Sequence, residues 1–210
     1  MFVADTINFR EVAMKEMLPL ATIQNAVIDF VRGRSDIVLF GAQAVNVYVN
    51  EPRATQDVDL MSLRASELAE ELREHLSGLF HIALRIRSIK GKGGTGYRIF
   101  QLQKSGNRHL VDVRSIASIP QTQIIDGVRV LSPPELIASK VISHYARRGK
   151  AKSFTDRRDL VVLLLAFPDL KSASGPVADC LAKAQAESGA VALWIEIAAQ
   201  DIVPEDDDDI

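Results

Sequence analysis

The stretch that most constrains the fold of this chain runs from Ile37 to Ser62. Ile37-Val38-Leu39-Phe40 is a short apolar run that stops at Gly41, as a buried strand does at a tight turn. The segment after it lacks Gly and Pro and carries Val45, Tyr48 and Val49 at helical spacing, until Glu51-Pro52 breaks it. Asp57-Val58-Asp59-Leu60-Met61 then alternates polar with apolar, the pattern of a half-buried strand. Residues two apart on a strand share a face. Asp57 and Asp59 are therefore expected side by side, with Val58 and Leu60 turned into a core.

Two carboxylates held together repel each other unless a cation or water lies between them. Hard oxygen ligands of this kind suit Mg²⁺ (or Mn²⁺), and Mg²⁺ is usually held by one or two carboxylates together with substrate phosphates. The Gly41-Ala42 turn opens a helix, whose free N–H groups and positive dipole end attract phosphate. A metal-holding strand beside a phosphate-holding helix start is the equipment for nucleotidyl transfer. An Asp-x-Asp pair alone arises by chance in a chain with this much Asp, so the weight falls on the whole order of strand, Gly, helix, turn and Asp-x-Asp.

Gly41-Ala42-x-Ala44 followed by Arg53-x-Thr55-x-Asp57-Val58-Asp59-Leu60 resembles the signature of the DNA polymerase β-like nucleotidyltransferase superfamily. It is most similar to the branch of nucleotidyltransferase toxins of bacterial abortive-infection systems. That branch reads Gly-Gly-x-Ala, then Arg-x-Ser/Thr-x-Asp-Ile-Asp-Leu at the same spacing; Ala42 stands here for the second Gly. The resemblance implies nucleotide or phosphate binding by Gly41, Ala42, Arg53 and Thr55, and metal binding by Asp57 and Asp59. It also implies a third carboxylate on a neighbouring strand, a role that Asp112 matches. Read by itself, Asp112 is a charge inside the apolar strand Leu110-Val111-Asp112-Val113, which must be paired or neutralised. It is either that third carboxylate or a strand residue bridged to Arg98 or Arg114.

Further on, Leu136, Lys140 and Arg147, then Asp156-Arg157-Arg158-Asp159-Leu160, are similar to the same branch's Leu-x-x-x-Lys run, its Arg one heptad on and its Asp-x-x-Asp-Leu helix. The gap from Arg to Asp is longer here than in that branch. The resemblance implies that Lys140 reaches the triphosphate and that Asp156 supports that site. A compact ammonium on a rigid helix suits a phosphate partner. His144, on the same polar stripe, is a further candidate, as a base.

The chain has 210 residues and a formal net charge of -2, which argues against a general nucleic-acid-coating protein but leaves room for a local basic groove. Arg85, Arg87, Lys90, Lys92, Arg98, Lys104, Arg108 and Arg114 gather around one expected hairpin. Its loop, Gly91-Lys92-Gly93-Gly94-Thr95-Gly96, joins two strands; a phosphate loop would lead from a strand into a helix. A single cysteine, Cys180, rules out an internal disulfide. No apolar stretch is long enough to span a membrane, so the cytoplasm is the default compartment.

The remaining patterns predict a helix over Phe9–Arg32 interrupted at Pro19 and a helix capped by Ser66 reaching about Leu79. They predict strands over His81–Lys90, Tyr97–Gln103 and His109–Arg114, and a hairpin at Asp126-Gly127. Ser132-Pro133-Pro134-Glu135 reads as a capping box opening a run of helices, one of which carries Trp194 as a packing residue. The acidic end, Glu205 to Asp209, reads as a solvated tail. The expected fold class is α/β (α+β): a nucleotidyltransferase core over residues 1–131 with a mixed sheet flanked by helices, followed by a helical domain over 132–210.

The expected function is metal-dependent transfer of a nucleoside monophosphate from an NTP to a hydroxyl. The expected acceptor is tRNA, a protein or a small molecule such as an aminoglycoside, and the resemblance implies a toxin–antitoxin or phage-defence setting with an antitoxin partner. Two rivals stand beside it. One is a catalytically weak nucleotide-binding regulator, given Ala42; the other is a plain nucleic-acid-binding module resting on the basic hairpin.

Overall fold

The computed structural model describes residues 19–91, 94–104 and 106–203. Seven strands are found among them: β1 Ile37–Phe40, β2 Val58–Ser62, β3 Leu84–Gly91, β4 Gly94–Gln101, β5 Arg108–Ser115, β6 Thr122–Ile125 and β7 Val128–Leu131. They form one mixed sheet in the order β3-β4-β5-β2-β1-β7-β6. The helices are α1 Leu20–Val31, α2 Gly41–Tyr48, α3 Ala65–Phe80, α4 Pro133–Ala146, α5 Ala151–Ala166, α6 Pro176–Lys183 and α7 Ser188–Ala199. The expected α/β architecture is thus present.

All four residues of β1 are buried, as a central strand requires, and β2 turns Val58 and Leu60 fully inward. β2 runs antiparallel to β1 and parallel to β5. In α1, Ile23, Val27 and Val31 recur every four residues and are buried; Pro19 sits at its N-cap position. The part of the expected first helix before Pro19 lies outside the described residues, as does the acidic tail. In α3, Leu68, Leu72 and Leu76 are fully buried, whereas Leu79, expected on the same side, is 54% exposed.

Two expected caps are corrected. Helix α3 starts at Ala65, and Ser66 lies inside it; the hydroxyl that serves this end is that of Ser62, which accepts the Arg64 N–H at 3.0 Å. Ser132 does stand at the N-cap of α4 with Pro133 after it, but it makes no capping hydrogen bond, and its buried Oγ lacks a partner among the described residues.

Helix α4 packs against α5, α6 and α7. Trp194 on α7 is fully buried, as expected, and its Nε1 finds no acceptor among the described residues. Trp194→Ala should lower stability by about 3–5 kcal/mol, the usual loss for a large core aromatic. Trp194→Phe should lose less, because it also removes the unsatisfied N–H. Denaturant midpoints of the two variants test this ordering; an equal loss would contradict it.

Candidate active site

Strand register brings the acidic residues together. Asp59 on β2 lies directly opposite Asp112 on β5, Asp112 opposite Arg98 on β4, and Arg98 opposite Arg87 on β3. On the other side, Asp59 pairs with Phe40, the last residue of β1. These residues form one row across the sheet, ending where β1 gives way to α2. Gly41 at that turn has φ +71°, and a Cβ placed on it would fall 1.9 Å from Asp59 Oδ2. The Asp59 carboxylate therefore rests against a bare Cα at the helix start. Asp57 immediately precedes β2, where the Thr55 hydroxyl lies 3.3 Å from its carbonyl oxygen and 3.4 Å from its Oδ1.

A residue that sequence reasoning passed over completes this group. His109 Nδ1 lies 3.1 Å from Asp57 Oδ2, and its Nε2 lies 3.0 Å from Asp112 Oδ1. His109 and Asp112 are three apart and would face opposite ways on a regular strand. Between Ile99 and Phe100 the β4–β5 register shifts: Ile99 pairs with Val111 but Phe100 with His109, leaving Leu110 as an extra residue on β5. This bulge turns His109 onto the face of Asp112.

The electrostatics follow from these contacts. Burial disfavours the charged ring of His109, but hydrogen bonds and charge from Asp112 and Asp57 outweigh it and push its pKa up to about 9. The His109 hydrogen bond holds Asp57 below the usual carboxylate range. Asp112 is raised by burial, but His109 and Arg98 pull it down to about 2. Arg98 holds both oxygens of Asp112, Nε to Oδ1 at 2.7 Å and Nη2 to Oδ2 at 2.9 Å. The Arg98 bridge expected as one reading of Asp112 is therefore present, and so is its place beside the other carboxylates.

Asp59 behaves oppositely. Burial, then the like charges of Asp57 and Asp112, raise it to about 6, with Lys140 and Arg114 opposing in part. Its carboxyl holds a proton more tightly in the folded chain than at the ordinary value of 3.8. The folded state thus binds more protons between 3.8 and about 6, and this group withdraws stability as pH rises through that window. In metal-free protein Asp59→Asn should therefore stabilise the fold at pH 8, by about 1–3 kcal/mol, and have little effect near pH 4. Thermal melts in a chelator measure this; a lower melting temperature for the variant at pH 8 would contradict it.

Lys140 on α4 faces the same cleft and is buried by its own partners. Its Nζ lies 2.6 Å from Asp159 Oδ2 and 3.8 Å from Asp156 Oδ1. Asp159, not Asp156, is thus its main support; Asp156 chiefly takes Arg147 Nη1 at 2.8 Å. Arg53 grips Asp159 through Nε at 2.7 Å and Nη2 at 2.9 Å, and its backbone is clasped by the Asn46 amide. Arg53 therefore braces the turn before β2 against α5. His144 Nδ1 is engaged with Ser153 across the α4–α5 junction and does not line the cleft. The cleft itself has a volume of about 1000 Å³ and is lined by Gly41, Asp59, Arg98, Asp112, Arg114 and Lys140, among others. Ala42 is buried beside it at the helix start.

Asp57, His109 and Asp112 each offer one ligand atom, and these atoms lie within 4.8 Å of one another. Two carboxylates and an imidazole at that spacing fit a divalent cation.

A family model described as the nucleotidyl transferase AbiEii toxin of a type IV toxin–antitoxin system matches residues 26–208. The chain belongs to this family. This AbiEii-family chain also shares its fold with the Megavirus polyadenylate synthase, at a TM-score of 0.57 and 14% identity over 80% of this chain. It spans 39% of that viral protein's length. An antigenic nucleotidyltransferase-like protein from Paracoccidioides brasiliensis matches at TM-score 0.44 and 20% identity, covering 85% of this chain and 92% of its own. The antibiotic-resistance factor ANT(2'')-Ia matches at TM-score 0.47 and 17% identity, covering 82% and 93%. A comparison with curated proteins finds no match. No helix among the described residues is long and apolar enough to cross a membrane.

Proposed function

We propose that this AbiEii-family protein is a metal-dependent nucleotidyltransferase that moves a nucleoside monophosphate from an NTP to the hydroxyl of a macromolecule, as the toxin of a toxin–antitoxin pair. The observation that carries this reading is the register of Asp59 and Asp112 beside Gly41, with Lys140 in the same cleft. Asp57, Asp59 and Asp112 would hold the divalent cation, Mg²⁺ or Mn²⁺, which supplies charge neutralisation for phosphate oxygens and makes a bound hydroxyl more acidic. Gly41, lacking a side chain, leaves the start of α2 open to a phosphate. Lys140 supplies positive charge to the triphosphate, and Asp159 holds that ammonium in place. Arg53 fixes the turn that carries Thr55 and Asp57. The acceptor hydroxyl passes its proton to Asp112 and on to water, its oxygen bonds to the α-phosphorus as the bond to the β-phosphate oxygen breaks, and pyrophosphate leaves. The family's toxin character favours a macromolecular acceptor, tRNA or protein, over a small molecule, and an antitoxin as the protein partner.

Incubation with α-labelled NTPs, Mg²⁺ or Mn²⁺ and cell extract, followed by nuclease or protease digestion, tests the reading. Label should enter one macromolecular class and vanish with the matching digestion. Nucleotide binding without any labelled product would favour the regulator reading instead, and equal labelling by Asp57→Asn would contradict catalysis at these carboxylates.

A further inference from the structure

We propose that His109 supplies a nitrogen ligand to the cation held at Asp57 and Asp112, which gives this centre a preference for Mn²⁺ over Mg²⁺. The inference rests on the reading of the site as a divalent-cation centre and specifies its chemistry.

The backbone is built to present this imidazole. An extra residue, Leu110, breaks the β4–β5 ladder and is itself buried, and the break rotates His109 to the face of the carboxylates. Bulges are found next to active sites because they re-aim one side chain at the expense of a ladder bond. The ring is then fixed on its flank by Phe100, with ring centroids 5.3 Å apart. Each ring nitrogen meets a carboxylate, at 3.1 Å for Asp57 and 3.0 Å for Asp112. A metal-bound histidine almost always gives its second ring nitrogen to a carboxylate, which fixes the tautomer and the ring orientation. Whichever nitrogen of His109 meets the ion gives up its proton to solvent, and the other keeps its carboxylate partner. Asp112 is itself fixed by both nitrogens of the Arg98 fork, so the orienting chain runs Arg98, Asp112, His109.

The donor set decides the ion. Mg²⁺ demands oxygen ligands in near-ideal octahedral geometry, whereas imidazole is a ligand of first-row transition ions, and carboxylate suits Mn²⁺ as well as Mg²⁺. An imidazole added to carboxylate oxygens therefore favours Mn²⁺ over Mg²⁺.

The test uses the full chain with Mn²⁺ alone and an electron spin-echo envelope modulation measurement, at natural abundance and with ¹⁵N-histidine. Bound Mn²⁺ should show modulation from a directly bound nitrogen, shifted by the isotope and absent in His109→Ala. Calorimetric titration should show the Mn²⁺-to-Mg²⁺ affinity ratio falling in His109→Ala by at least about tenfold, the lower end of what loss of a ligand's supporting partner causes. His109→Asp, which makes the set all oxygen, should restore cation binding with the preference moved toward Mg²⁺. Bound Mn²⁺ without a histidine nitrogen signal, in protein that still transfers label from NTPs, would overturn this inference and leave the proposed function standing. Absence of any divalent-cation binding would overturn both.

Discussion

Gly41→Ala should reduce nucleotidyl transfer by about 100-fold or more while the protein still folds, because misplacing a reacting-site group by about 1 Å costs that much. A Cβ at this position would lie 1.9 Å from Asp59 Oδ2, 2.6 Å from its Cγ and 2.7 Å from its Cβ, closer than real Cβ contacts allow. The carboxylate must move away from the row it shares with Asp112. The left-handed backbone adds about 1–2 kcal/mol of strain to any side chain there. Gly33 separates the two effects. Its φ is +76°, but nothing lies within 4 Å of a Cβ built on it. Gly33→Ala should lose only the stability that the strained backbone costs and keep full label transfer, so equal activity losses in the two variants would contradict the contact with Asp59.

Asp159→Ala should be the most destabilising single change around the cleft, at about 3–5 kcal/mol, as removal of one partner from a buried ion pair usually is. Asp159 is fully buried and receives Arg53 through two nitrogens and Lys140 through a third. Its loss leaves the buried Lys140 ammonium with only the more distant Asp156 and removes the bridge from α5 to Arg53 in the turn before β2. Asp156→Ala should lose less, because the Lys140–Asp159 contact stays and the freed Arg147 side chain, 45% exposed, reaches water. The same bridge sets an acid limit. Burial raises Asp159, but Arg53 and Lys140 hold it below the ordinary 3.8. Its contribution is complete above that value and is lost as pH falls through the lower folded one. Urea midpoints for wild type, Asp159→Ala and Asp156→Ala at pH 7 measure the ordering.

What the amino-acid pattern revealed and what it hid have physical reasons. The alternation at Asp57-Val58-Asp59-Leu60 marks β2 because one face is buried, and the Gly41 turn stands out because no other residue fits it. Asp112 could be singled out as a charge in an apolar strand. Its place opposite Asp59 depends on two strands 53 residues apart lying in parallel register, which no local pattern encodes. His109 was hidden by the two-residue period itself. Strict alternation points it away from Asp112, and the only hint of the bulge is that Leu110 and Val111 are two apolar residues in succession. Asp159 escaped because spacing along α5 does not say which of its two carboxylates lies nearer Lys140; the fold puts Asp159 1.2 Å closer (3.8 against 2.6 Å). Arg53 looks like a phosphate ligand in its motif, and the structure spends its guanidinium on Asp159, a residue 106 positions away. The two serine caps failed because a favourable residue at a helix start need not make the bond that explains its preference.

The most direct measurement follows both ends of the triphosphate in one reaction, using NTP labelled at the α- or the γ-phosphate with wild type and Asp59→Asn. Wild type should carry the α-label to the acceptor and release the γ-label as pyrophosphate, and Asp59→Asn should do neither. Transfer of the γ-label to the acceptor, or undiminished α-label transfer by Asp59→Asn, would contradict catalysis by this row of carboxylates.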